Sequence, residues 1–136
     1  MTKDREISAI MALAEKYYPQ DKFNHAMRVA GYAMAAAQYD PRVDPIDAYI
    51  VGVAHDLVED TDCPQEKLQQ AIGYDLSSSV FILTKSDDIS YNNYILDLLA
   101  SNDDLAFLVK RADMKDHLTL TDKPKDKYLS VLHYFL

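Results

Sequence analysis

The chain is predicted to be all-α, a bundle of roughly six to eight helices. Three observations predict it. Apolar residues recur at helical spacing while strand-like alternation is scarce. Only three glycines occur in 136 residues, which leaves few of the tight turns that hairpins need. Asp and Pro residues punctuate the sequence where helices would start and stop.

The elements follow in order. Residues 1–17 place Ile7, Ile10, Met11, Leu13 and Ala14 at helical spacing, and Pro19 breaks the run. A long helix is predicted over about 21–39, with Ala26, Val29, Ala30, Ala33, Met34 and Ala37 as its small, apolar face. Asp40-Pro41 and Asp44-Pro45 mark a loop; Asp44 suits an N-cap and Pro45 the first helical position. The third helix is predicted to run from there to about Glu59. Asp62-Cys63-Pro64 restarts a short helix through Ala71, and segments 75–83, 90–100, 102–118 and 125–135 complete the set. Gly31 and Gly52 fall inside helices, where glycine costs about 0.5–1 kcal/mol relative to alanine. Close approach of the second and third helices explains both. No repeat, low-complexity tract or linker interrupts the chain, so residues 1–136 are predicted to form a single domain.

Composition narrows the function classes. A net charge of −8 and a pI near 4.8 argue against a nucleic-acid partner, since phosphate backbones need a basic surface. One cysteine, Cys63, excludes an internal disulfide and fits a reducing compartment. No apolar signal region opens the chain and no 18-residue apolar run occurs, so a cytoplasmic location without membrane contact is expected. A homo-oligomer is compatible with the sequence.

The most informative segment is Val53-Ala54-His55-Asp56-Leu57-Val58-Glu59-Asp60-Thr61. On a helix, neighbours point about 100° apart, so His55 and Asp56 can reach one ion over the same turn. Glu59 and Asp60 follow at i+4 from each, on the same face, as carboxylates available to handle protons. An isolated His-Asp pair carries little weight, and carboxylates at a helix end are usually a solvated terminus. Here the cluster ends an apolar run, and distant partners exist. His25 lies in a small, apolar helix, where a satisfied core histidine is the commoner outcome. Asp113 sits inside the predicted helix 102–118, where a buried carboxylate needs a partner. Singly each is more readily structural; together with His55-Asp56 they point to a metal centre.

This constellation resembles the HD-domain metal-dependent phosphohydrolases, and more closely the (p)ppGpp hydrolase domain of the RelA/SpoT alarmone enzymes. His25-Ala26-Met27-Arg28-Val29-Ala30, Ala54 to Thr61 and Val109-Lys110-Arg111-Ala112-Asp113 carry the likeness, with Thr84-Lys85 as a weaker element. It spans roughly residues 20–120, and Glu59-Asp60-Thr61 is far more specific than the His-Asp pair. The resemblance implies an HD-type helical bundle in which His25, His55, Asp56 and Asp113 ligate the metal, usually manganese. It implies that Glu59 and Asp60 activate or orient the attacking water. Two stretches depart from the alarmone pattern. The lead-in to His25 reads Tyr17-Tyr18-Pro19-Gln20-Asp21-Lys22-Phe23-Asn24, without Gly-x-Pro-Tyr, and Asp113 is followed by Met114-Lys115-Asp116-His117 in place of Arg-x-His-Asn. In the family those positions lie near the nucleotide.

Two imidazoles and two carboxylates suit Mn²⁺, Fe²⁺, Co²⁺ or Mg²⁺ better than a thiolate-seeking metal. Such an ion makes water more acidic and withdraws charge from a phosphoryl oxygen. Arg28 and Lys110 are predicted phosphate contacts; Lys85 is more readily a surface cation. His117, at i+4 from Asp113, fits a place at the metal rim or substrate as well as a cation near a helix C-terminus. Tyr91 and Tyr94 suit a base-stacking wall, though packing is the commoner use, and Tyr17, Tyr18 and Tyr128 read as packing alone. The expected activity is hydrolysis of a small nucleotide, with removal of the 3′-pyrophosphate of guanosine tetraphosphate as the specific expectation. The alternatives are another small nucleotide, such as a nucleoside monophosphate or cyclic dinucleotide, a non-catalytic nucleotide or metal sensor on the same fold, or a structural helical protein.

Overall fold

The computed structural model describes residues 2–120 and 125–136. Its elements are α1 (Lys3–Tyr17), α2 (Gln20–Ala37), α3 (Pro45–Ala54), α4 (Leu57–Asp60), α5 (Gln65–Leu83), α6 (Tyr91–Ala100), α7 (Asp104–Thr119), α8 (Asp126–Leu129) and a closing 3₁₀ turn (Leu132–Phe135). No strand occurs among the described residues. No helix among them is long and apolar enough to cross a membrane.

The fold is organised around α3. Its sequence, Pro45-Ile46-Asp47-Ala48-Tyr49-Ile50-Val51-Gly52-Val53-Ala54, is apolar almost all the way round, and a helix of that kind belongs in a core. Ala48 and residues 50–54 are all buried, with α1, α2, α5 and α7 packed against the helix. The Asp44 carboxylate caps it by accepting from the Ile46 and Asp47 amides at 2.8 and 3.0 Å. Ser90 and Asp103 cap α6 and α7 in the same way.

Three predicted boundaries differ from the structure. The third helix does not continue to Glu59; it stops at Ala54, and Asp56 takes φ −104°, ψ 0° before α4 begins. Tyr18 causes or secures the break: its buried hydroxyl donates to Val53 O at 2.6 Å and accepts from the Asp56 amide at 3.3 Å. It supplies partners that the interrupted helix ladder lacks, a larger role than packing. The segments predicted at 64–71 and 75–83 join as α5 across a kink at Gly73, whose φ of 84° is open to glycine without strain. The predicted helix over 125–135 divides into α8 and the 3₁₀ turn.

Close helix approach holds at one glycine and fails at the other. A Cβ on Gly52 would lie 2.7 Å from Ala30 Cα, backbone against backbone, so α2 and α3 touch there as predicted. Nothing lies within 4 Å of a Cβ on Gly31, which faces solvent. Gly52→Ala is therefore expected to cost about 1–3 kcal/mol from overpacking. Gly31→Ala should stabilise by about 0.5–1 kcal/mol through helix propensity. Urea unfolding of the two variants measures both.

Candidate metal centre

The first turns of α2, the break after α3 and the middle of α7 meet at one point. There His25, His55, Asp56 and Asp113 each bring one ligand atom, all within 4.8 Å of one another. His25 Nε2 lies 2.8 Å from Asp113 Oδ1 and 3.7 Å from Asp56 Oδ2. His55 Nε2 lies 3.2 Å from both carboxylates. His25, His55 and Asp113 are buried and Asp56 half-buried, so the cluster is no solvated terminus. The break matters here, because the His55-Asp56 pair sits in a turn between two helices rather than along one. Two imidazole nitrogens and two carboxylate oxygens fit a divalent ion of the Mn²⁺, Fe²⁺, Co²⁺ or Mg²⁺ kind.

Each imidazole is aimed from behind. His55 Nδ1–H donates to Gly52 O at 2.7 Å, and His25 Nδ1–H donates to Asp116 Oδ2 at 2.6 Å. With Nδ1 occupied, both Nε2 atoms are turned toward the carboxylates. Asp116 is almost fully buried and is held in turn by Arg28, whose Nε and Nη2 donate to it at 2.7 and 3.0 Å. Burial opposes the charge on Asp116, but Arg28 and His25 outweigh it and keep its carboxyl below the usual range. In the sequence Asp116 stands out only as part of the departure from the family tail, with no role of its own. Its signal was the i+3 spacing from Asp113, which puts both on one face of α7. Arg28 lines the cavity in front of the centre, and its Nε and Nη2 are engaged by Asp116. Asp116→Ala is expected to weaken Mn²⁺ binding roughly 10–100-fold without removing a ligand. Calorimetric titration of Mn²⁺ would show this, with Asp116→Asn, which keeps one acceptor, falling between.

The charges set the pH behaviour. Burial disfavours a charged His55, yet Asp56 and Asp113 outweigh it and raise its pKa well above the ordinary 6.5. His25 is shifted in the same direction, with Asp113 and Asp116 outweighing burial. Groups whose folded pKa is raised contribute stability that is complete below the unfolded value and is lost as pH rises through the folded one. The metal-free protein should therefore melt at lower temperature as pH rises above 6.5. A metal needs both Nε2 atoms unprotonated, so the stabilisation by Mn²⁺ should grow over the same range. Thermal melts in EDTA and in Mn²⁺ from about pH 6 to about pH 9 measure the two trends.

Glu59 and Asp60 reach the same place from α4. With Asp56 they form a second group of carboxylates whose nearest oxygens lie within 4.8 Å of one another. Glu59 accepts the Lys85 backbone N–H at 2.5 Å, and Lys22 Nζ lies 3.1 Å from Asp60 Oδ2. Lys85 enters through its amide, while its ammonium donates to Ser86 O. Partial desolvation raises the Glu59 pKa, opposed by the Lys85 amide and reinforced by Asp56 and Asp60.

A cavity of about 350 Å³ opens in front of these groups. Lys110 lies at its back, buried, with Nζ 2.9 Å from Asp113 Oδ2 and 5.4 and 5.1 Å from the Tyr91 and Tyr94 ring centres. His117 Nε2 is 3.2 Å from Asp113 Oδ1, and its ring stacks on Tyr128 at 4.3 Å, 13° between planes. Tyr91, Tyr94 and Tyr128 all line the cavity, so Tyr128 does more than pack. Lys127, not anticipated from the sequence, sits 5.1 Å from the Tyr91 and Tyr128 rings.

Comparison with known proteins agrees with this architecture. No family model and no curated protein matches the sequence. Among solved structures, the chain is similar to one described as a metazoan ortholog of SpoT that hydrolyses ppGpp and plays a role in starvation responses. The match has a TM-score of 0.69 at 20% identity and covers 96% of this chain and 81% of that one. At that identity the likeness is one of fold: this chain has the all-helical fold of the SpoT ortholog.

Proposed function

We propose that the chain is a metal-dependent phosphohydrolase acting on a small nucleotide, with the 3′-pyrophosphate of guanosine tetraphosphate as the specific substrate group. The observation that carries this reading is the convergence of two imidazole Nε2 atoms and two carboxylates beside Glu59 and Asp60 at the mouth of one cavity. His25, His55, Asp56 and Asp113 would hold the ion, Mn²⁺ by preference. When bound, it supplies Lewis acidity toward water and a phosphoryl oxygen.

The chain's own groups supply the rest. Glu59, with its raised proton affinity, takes a proton from the attacking water. Asp60, pinned by Lys22, orients that water. Lys110 holds Asp113 and lends positive charge at the back of the cavity. His117 and Lys127 face phosphate oxygens, Arg28 contributes through Asp116, and Tyr91, Tyr94 and Tyr128 offer ring faces to a base. A non-catalytic sensor would have no use for Glu59 and Asp60. The alarmone reading draws on Glu59-Asp60-Thr61, on Val109-Lys110-Arg111-Ala112-Asp113 and on what the SpoT ortholog hydrolyses.

The test is product release by purified protein with Mn²⁺ across a nucleotide panel that includes ppGpp, with Asp56→Asn as control. Pyrophosphate from ppGpp, lost in the variant, supports the full reading. Cleavage of another nucleotide retains the metal centre and replaces the substrate. Silence across the panel with Mn²⁺ bound overturns the catalytic reading.

A further inference from the structure

On the far side of α7 lies a second cavity, of about 780 Å³, bounded by α2, the loop after it and α7. Residues 107, 108, 111, 112 and 115 of α7 face it, while 110, 113 and 117 face the metal centre. On a helix with about 3.6 residues per turn these two sets point in nearly opposite directions. The second cavity therefore shares a wall, but no lining residue, with the first.

Its lining is cationic and aromatic. The protein carries a net charge of −8, yet this cavity gathers Arg42, Arg111 and Lys115 against one carboxylate, Asp40. Arg42 already neutralises Asp40 through two side-chain contacts at 3.1 Å. Arg111 and Lys115, one turn apart, make no ion pair among the described residues. The walls are aromatic. Tyr39 is 91% exposed, Tyr32 lies 4.6 Å beneath the Lys115 ammonium, and Phe107 is fixed by stacking on Phe135 at 4.9 Å. Cations without an ion pair among the described residues, beside aromatic rings, suit a ligand that is both anionic and aromatic. The volume lies within the range of about 300–1,000 Å³ usual for small-molecule sites.

We infer that this cavity binds a nucleoside phosphate, its base against Tyr39 and Phe107 and its phosphate on Arg111 and Lys115. This second site needs no metal and stands independently of the activity proposed for the first. The test is calorimetric titration of GDP into the full chain in EDTA. Wild type, Arg111→Glu, Lys115→Glu and Asp56→Asn are compared, after thermal melts confirm that each is folded. Binding is expected in wild type and Asp56→Asn alike, and weaker by about tenfold or more in Arg111→Glu and Lys115→Glu, as for the loss of one charge-assisted contact. The inference is overturned by no GDP binding, by binding unchanged in Arg111→Glu, by binding lost in Asp56→Asn, or by inorganic phosphate binding as tightly as GDP. Self-association of the wild type that Arg111→Glu abolishes would assign the cavity to a second copy, and overturns it too.

Discussion

Asp113→Ala is expected to lose the bound metal and about 3–5 kcal/mol of stability, the largest effect of any single change at this centre. The carboxylate is nearly fully buried and meets four partners: His25 at 2.8 Å, His55 and His117 at 3.2 Å, and Lys110 at 2.9 Å. Burial opposes its charge, but Lys110 and the three histidines outweigh it and hold its carboxyl well below the usual range. Lys110 depends on it in return. Burial would lower the Lys110 pKa, yet Asp113, Tyr94 and Tyr91 keep it well above its ordinary value. Removing the carboxylate strands a buried ammonium and takes away one of the four proposed ligands. Asp113→Asn separates the two effects, because it keeps the volume and one acceptor while losing the charge. Metal content of the purified variants and urea unfolding in EDTA read the two consequences separately. A fully loaded Asp113→Ala protein would remove Asp113 from the ligand set.

Much of this centre was legible in the sequence because polar residues in apolar helical surroundings are costly unless partnered. His25 and Asp113 stood out on those grounds, and the structure brings them to His55 and Asp56. The helical class was legible from spacing, and Asp44-Pro45 marked the start of α3 correctly. What could not be read was set by contacts between distant residues. The break after Ala54 depends on a hydroxyl from Tyr18, 35 residues earlier in the chain. Gly31 and Gly52 look alike in sequence, and only the crossing of α2 over α3 distinguishes them. Nothing local revealed Asp116, 88 residues away, as the partner of Arg28. Lys127 and Tyr128 entered the cavity wall through the return of the chain's last segment, which no short-range pattern signals.

Glu59→Gln should lower kcat by about 10²–10⁴-fold while leaving metal content unchanged, and Asp60→Asn should cost less. The two carboxylates are neighbours in sequence but differ in surroundings. Asp60 is paired with the Lys22 ammonium at 3.1 Å, which holds it in one place. Among the described residues Glu59 has no cation in contact; it is partly desolvated, accepts one backbone N–H and lies beside Asp56 and Asp60, so its proton affinity rises. A proton acceptor works best when its pKa approaches the working pH, and Glu59 is moved that way. Glutamine keeps the hydrogen bond from Lys85 and the shape of the side chain, so the loss in kcat isolates proton transfer from structure. The substrate is the nucleotide that the panel identifies, and the pH profile supplies the second readout. The wild-type rate should fall on the acid side as Glu59 becomes protonated, and that limb should vanish in Glu59→Gln. If the limb persists there and vanishes in Asp60→Asn, the proton belongs to Asp60 and the roles of the two carboxylates are exchanged.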